Sequence, residues 1–181
     1  MDVVEIDPDM TEIARKYFGL QENPRMNIIH QDGRIYLNGN AKKYDLIFID
    51  AFNSFSSIPF QLTTIESVRK TFESLADDGA VFVNIISSIE GDKGKFFRAE
   101  YATYKDIFPN VYVFALNFPA NGEAVQNLML VATKADKPID FSASPSLAKY
   151  SDKLWTRNIA EDVPILTDDF APVEYYKRMS I

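Results

Sequence analysis

Short apolar runs alternate along the chain with stretches of helical spacing, starting from the first residues. Val3 to Ile6 predicts a first strand. Asp7-Pro8 then offers an N-cap and a proline at the first helical position. Met10, Ile13, Ala14, Tyr17 and Phe18 follow one helical face, and Gly19 closes it. Met26 to His30 predicts a second strand and Tyr44 to Ile49 a third, ending at Asp50. Ile65, Val68, Phe72 and Leu75 mark the next helix, stopped by Asp78-Gly79. Ala80 to Ile86 is an almost unbroken apolar run, as expected of a strand covered on both faces. Phe97, Tyr101, Tyr104 and Phe108 mark a further helix, ended by Pro109. Val111 to Leu116 and Leu128 to Thr133 complete the strands, and Lys134 to Ser146, with its prolines and serines, reads as a loop before a C-terminal tail.

Strands alternating with helices at this spacing predict an α/β fold with a mostly parallel sheet and helices on both faces. The last two strands have no helix between them and should pair antiparallel, as a reversed hairpin at one edge of a doubly wound sheet.

Composition narrows the class. The chain has 181 residues, 46% of them hydrophobic, which suits one soluble domain spanning 1–181. It has no cysteine, so disulfides and thiolate metal sites are excluded and a reducing cytoplasm is the expected setting. Apolar stretches such as Ala80-Val81-Phe82-Val83 are far shorter than the roughly 20 residues of a membrane span, and the start has no signal-peptide pattern. A net charge of −7, with no basic run longer than Lys42-Lys43, argues against nucleic acid as a partner.

Ligands of doubly wound sheets sit at the carboxyl ends of the strands. Three acidic residues fall there: Glu5 near the end of the first strand, Asp32 just past the second, and Asp50 after the third. As acceptors they suit a ligand rich in hydroxyl and amino donors. Taken singly, each is equally read as a helix cap or a loop residue. His30, the sole histidine, reads as structural, sitting in or beside a strand. Asp168-Asp169 has no clustered ligand partners, so no metal site is expected, and the pair reads as stabilising the tail. Glu90 to Lys95 lacks the spacing of a phosphate loop and reads as a mobile surface loop.

Three stretches together resemble one family. Val4-Glu5-Ile6-Asp7-Pro8, His30-Gln31-Asp32-Gly33-Arg34 and Tyr44-Asp45-Leu46-Ile47-Phe48-Ile49-Asp50 are similar, in order and spacing, to the spermidine synthase (polyamine aminopropyltransferase) family. That family belongs to the S-adenosylmethionine-dependent methyltransferase folds. Ile58 to Thr64 resembles the family's segment after its catalytic loop. Leu166 to Glu174 resembles a C-terminal signature of its spermidine-synthase-like members. The resemblance implies a Rossmann-like fold and a nucleoside site at Glu5, Ile6, Asp32, Gly33 and Asp50. Glu5 would accept from both ribose hydroxyls, and Asp32 from the adenine amino group beside the Gly33 backbone. Asp50 would be the catalytic residue, orienting and deprotonating an attacking amine. The implied cofactor is S-adenosylmethionine or its decarboxylated form, and the implied partner a small-molecule amine.

The chain departs from the family in two places. The family's first strand and Gly-rich loop precede the strand that carries the ribose-binding Glu, and this chain begins at that later strand. The resemblance therefore implies a partial domain. The first strand must then pair with the third or leave an open edge, which predicts a homo-oligomer or a partner chain over this region. The family also shows a further Asp three residues after its catalytic Asp, where this chain has Asn53, leaving one carboxylate fewer for a multiply cationic acceptor. Two readings follow. One is an aminopropyl or methyl transferase, impaired in this truncated form. The other is a non-catalytic nucleoside-binding or interaction module, for which Phe52, Phe55 and Phe60 are candidate contacts, the blander reading being that they fill the emptied cofactor cleft.

Overall fold

The structure, a computed structural model, describes residues 1–52 and 58–178. Asn53 and Phe55 lie outside the described residues. The chain forms two compact units, Met1–Ala41 and Lys42–Ile181.

In the first unit, β1 (Asp2–Glu5), α1 (Pro8–Tyr17), β2 (Asn27–His30) and α2 (Gly33–Gly39) make a βαβα unit. β1 and β2 run parallel, in register from Asp2 opposite Asn27 to Glu5 opposite His30. The Asp7 side chain caps α1 by accepting from Asp9 N–H at 2.9 Å, with Pro8 opening the helix. Gly19 follows the helix at φ +72°, the left-handed conformation that a helix stop favours. The helical spacing of Met10, Ile13 and Tyr17 is thus correct, yet all three are exposed, and Thr11 is the one buried side chain of the unit. Two strands offer too little surface to cover a helix face.

The second unit carries β3 (Tyr44–Phe52), α3 (Ile65–Ser74), β4 (Leu75–Ser87), α4 (Lys95–Ile107), β5 (Asn110–Ala115), β6 (Gln126–Thr133), α5 (Pro145–Ala148) and α6 (Val173–Arg178). Its four-stranded sheet has the order β3-β4-β6-β5. β3 and β4 are parallel, whereas β6 lies antiparallel to both β4 and β5. The α/β class, the parallel pairs and the reversed edge hairpin are as the sequence predicts. Among the described residues β1 pairs with β2 alone and β3 with β4 alone.

Three features differ from expectation. β4 starts at Leu75 rather than Ala80, because Leu75 already pairs with Tyr44 and residues 76–79 bulge out before Ala80 rejoins opposite Leu46. Gly79 fits this bulge because a side chain there would meet Ala76 O and Tyr44 O at 3.0 Å. β4 is also covered unequally. Val81, Val83 and Ile85 are fully buried in one core with Val68, Phe96, Phe97, Leu128 and Leu130, while Phe82 and Asn84 on the other face are only half-buried. Lastly, β3 runs on to Phe52, which places Asp50 inside the strand rather than after it.

The core also contains a carboxyl group. Glu100 on α4 is fully buried, and neither of its oxygens has a hydrogen-bond partner. Burial holds its pKa well above the usual carboxylate range. One turn on, the Tyr104 hydroxyl is equally buried and unpartnered, its pKa raised by burial and then by Glu100.

Candidate functional site

In the first unit the sequence places two carboxylates at the same end of two adjacent parallel strands. Glu5 is the last residue of β1, half-buried, and its Oε1 accepts from Asp7 N–H at 2.9 Å. Across the ladder the Glu5 carbonyl accepts from Gln31 N–H at 3.2 Å, which sets Asp32 one residue from a direct partner of Glu5. Asp32 is the N-cap of α2, its Oδ1 accepting from Arg34 N–H at 2.8 Å and Ile35 N–H at 3.0 Å. Gly33 is the first residue of that helix. Ile6 follows Glu5 and is exposed.

Asp32 therefore acts as a helix cap. Two carboxylates at the ends of neighbouring parallel strands suit neighbouring donors such as a pair of ribose hydroxyls and an exocyclic amine. By this donor–acceptor chemistry the residues present fit a nucleoside. His30 Nε2 lies 3.0 Å from Thr11 Oγ1, tying β2 to α1.

In the second unit Asp50 is exposed near the carboxyl end of β3 and accepts at Oδ1 from the Asn84 side-chain amide at 3.0 Å. Asn84 lies on the neighbouring strand β4. That bond ties the Asp50 side chain to β4. Asn84 had a sequence signal, being the one polar residue in the run Ala80 to Ile86. Lys177 on α6 had none. It is buried, its Nζ donates to the Ile86 carbonyl at 2.7 Å near the end of β4, and burial lowers its pKa.

Two other polar features resolve as structure. Arg98 on α4 is almost wholly buried and forks onto Asp162, its Nε and Nη2 donating at 2.6 and 2.8 Å. Its Nη1 also donates to the carbonyls of Ile89 and Gly91. The guanidinium beside Asp162 holds that carboxyl below the usual range, against the smaller effect of burial. This arrangement turns Glu90 to Lys95, expected as a mobile loop, into a braced 3-10 turn at Asp92–Gly94. A cavity of about 460 Å³ beside it is lined by Glu90, Asp92, Arg98, Asn158 and Asp162 among others. No group of three or more His, Cys, Asp or Glu side chains suited to a metal occurs among the described residues. No described helix is long and apolar enough to cross a membrane.

Known proteins are similar to this chain in sequence and fold. The chain is 30% identical over 98% of its length to the polyamine aminopropyltransferase of Vibrio vulnificus, and it spans 62% of that relative. Among solved structures, a probable spermidine synthase from Corynebacterium glutamicum superposes with a TM-score of 0.73 at 21% identity, covering 92% of this chain and 63% of that one. A spermidine synthase in complex with the transition-state analogue AdoDATO superposes with a TM-score of 0.64 at 19% identity, covering 99% of this chain and 60% of that one. At such identities these likenesses establish the Rossmann-like methyltransferase fold. Residues 1–142 match the spermine/spermidine synthase domain, and with them the chain belongs to that family.

Proposed function

We propose that this chain carries the nucleoside-binding half of an aminopropyltransferase site, with Asp50 as the group that prepares a small amine for attack. The observation that carries the reading is the placement of Glu5 and Asp32 at the carboxyl ends of paired parallel strands. Decarboxylated S-adenosylmethionine, or S-adenosylmethionine itself, would supply a carbon made electrophilic by an adjacent sulfonium. Glu5 would accept from the ribose hydroxyls, with Ile6 alongside. Asp32 would accept from the adenine amine, next to the Gly33 backbone. Asp50, oriented by Asn84, would take the proton from the attacking nitrogen. The new C–N bond forms as the C–S bond breaks, and the electron pair leaves with sulfur as a neutral thioether.

The bound analogue in one structural neighbour supports this donor class. The open edge of β3 is the place we propose for a second copy of the chain.

Calorimetric titration with methylthioadenosine tests the reading. A dissociation constant in the micromolar range is expected for the wild type. Asp32→Asn keeps an N-cap but turns one acceptor into a donor, and should weaken binding at least tenfold, about 1.4 kcal/mol. Asp32→Ala removes cap and acceptor together and is the less informative variant. No binding up to about 1 mM, where the free energy is only about −4 kcal/mol, would end the transferase reading.

A further inference from the structure

The face of the second unit's sheet that carries Asp50 is covered unevenly. Side chains alternate along a strand, so residues two apart share a face. On the β5 side the aromatic rings are covered. Phe141, from the segment after β6, meets Tyr112 and Phe114 edge-on, with ring centroids 5.0 and 5.4 Å away. On the β3 side they are open. Phe48 stacks on its ladder partner Phe82, with centroids 5.1 Å apart and planes inclined by 22°, yet Phe48 stays largely exposed and Phe82 is half-buried.

The next residue on this face is polar on both strands. Asp50 follows Phe48 and Asn84 follows Phe82, and the two side chains join at 3.0 Å. The stacked rings and the bonded pair are therefore successive rungs of β3 and β4, about 7 Å apart at a strand rise of about 3.3 Å per residue. Across β4 the same rungs continue into Val131 and Met129 of β6, opposite Phe82 and Asn84. Asp50 is the one charged side chain on these two rungs.

One carboxylate bordered by aromatic and apolar side chains is complementary to a single positive charge on an apolar body. A diamine held at Asp50 would set its second ammonium against the rings, with no carboxylate on that rung to meet it, and such mismatches are what discriminate against a ligand. An ammonium over so exposed a ring gains little. An aryl group gains more there, because ring–ring contact adds to the apolar area removed from water.

We infer that Phe48, backed by Phe82, is a specificity-determining residue beside Asp50, and that the acceptor is a monoamine carrying an aryl group, of the 2-arylethylamine class, rather than a diamine. The inference rests on the transferase reading and deepens it by naming the acceptor. The amine nitrogen sits at Asp50, and its two-carbon link lays the aryl ring against the open side of Phe48. Every residue involved belongs to the second unit, whereas the nucleoside is assigned to Glu5 and Asp32 in the first.

The test is calorimetry on the 181-residue chain, titrated first with methylthioadenosine and then, as the nucleoside complex, with 2-phenylethylamine or 1,4-diaminobutane. The wild type should bind 2-phenylethylamine about tenfold the tighter of the two. Phe48→Ala should remove that preference by weakening 2-phenylethylamine about tenfold and 1,4-diaminobutane little. Phe48→Tyr keeps the ring and should keep the preference, while Phe48→Leu keeps apolar bulk without the ring and should lose most of it. Urea midpoints of the three variants separate lost stacking from a disturbed fold. Asp50→Asn removes the charge and should weaken both amines. Equal or tighter binding of 1,4-diaminobutane, binding of neither amine, or unchanged 2-phenylethylamine affinity in Phe48→Ala and Phe48→Leu overturns the acceptor assignment and leaves nucleoside binding standing. A wild type that binds no methylthioadenosine sinks the transferase reading itself, at the first titration and before any amine is added.

Discussion

At the scale of single residues, Glu100 is the group whose chemistry is furthest from ordinary. Its carboxyl is buried without a partner and its pKa is raised by desolvation, with no opposing positive charge among the causes. The folded state then binds a proton that the unfolded state releases above about 4.5. Stability should therefore be greatest below that pH and fall as pH rises toward the raised folded value. Glu100→Gln removes the titration, and urea midpoints measured from pH 4 to pH 8 should lose much of their downward slope. A slope identical to the wild type would show that Glu100 is hydrated or paired in solution. Nothing in the sequence marks this residue: helical spacing reads Glu100 as one more charge between Phe97 and Tyr101, and only packing reveals that α4 is buried on that side too.

Among the elements, the braced turn after β4 shows how a charged residue can be structural. Arg98 satisfies two carbonyls and one carboxylate from a nearly dry position, so truncation strands several groups at once. Arg98→Ala should cost about 3 kcal/mol by urea denaturation, a figure moderated by the half-exposed Asp162. Arg98→Lys should recover less than half of that, since an ammonium cannot reproduce the fork. Gly94 belongs to the same device, because a Cβ there would lie 2.5 Å from Arg98 Nη1 and 2.6 Å from Ile89 O. Gly94→Ala should be destabilising to a similar degree. The elements that sequence locates well are those with a strong period and a clear stop, such as α1 between Asp7 and Gly19. It misses α2, whose seven residues show no apolar stripe, and α6, whose side chains are sorted by the tail's contacts. It also places Asp50 after β3 because a strand's end depends on its neighbour's register, which no local pattern records. The carboxylates Glu5 and Asp32 were legible through their order along the chain. The bond from Asn84 to Asp50 was not legible, because it joins residues 34 positions apart on neighbouring strands.

For the molecule as a whole, the consequential feature is the outer edge of β3. This strand has β4 on one side and no strand on the other among the described residues. Leu46 and Phe48 on it remain 53% and 69% exposed, although Phe48 stacks on Phe82 with ring centroids 5.1 Å apart. A row of backbone donors and acceptors flanked by exposed apolar side chains is a template for another strand, and proteins rarely leave one bare. Two copies related by a two-fold axis would present the same edge to each other, running antiparallel, and such self-complementary contacts are the commonest way to close an assembly. Light scattering at micromolar concentration should then give about twice the chain mass of 20.6 kDa, falling toward one chain on dilution. Phe48→Lys places a charge beside that edge and should shift the balance to monomer, with little loss of stability because the ring is largely exposed. A wild-type chain that stays monomeric across the concentration range would mean that the edge is not used for self-association.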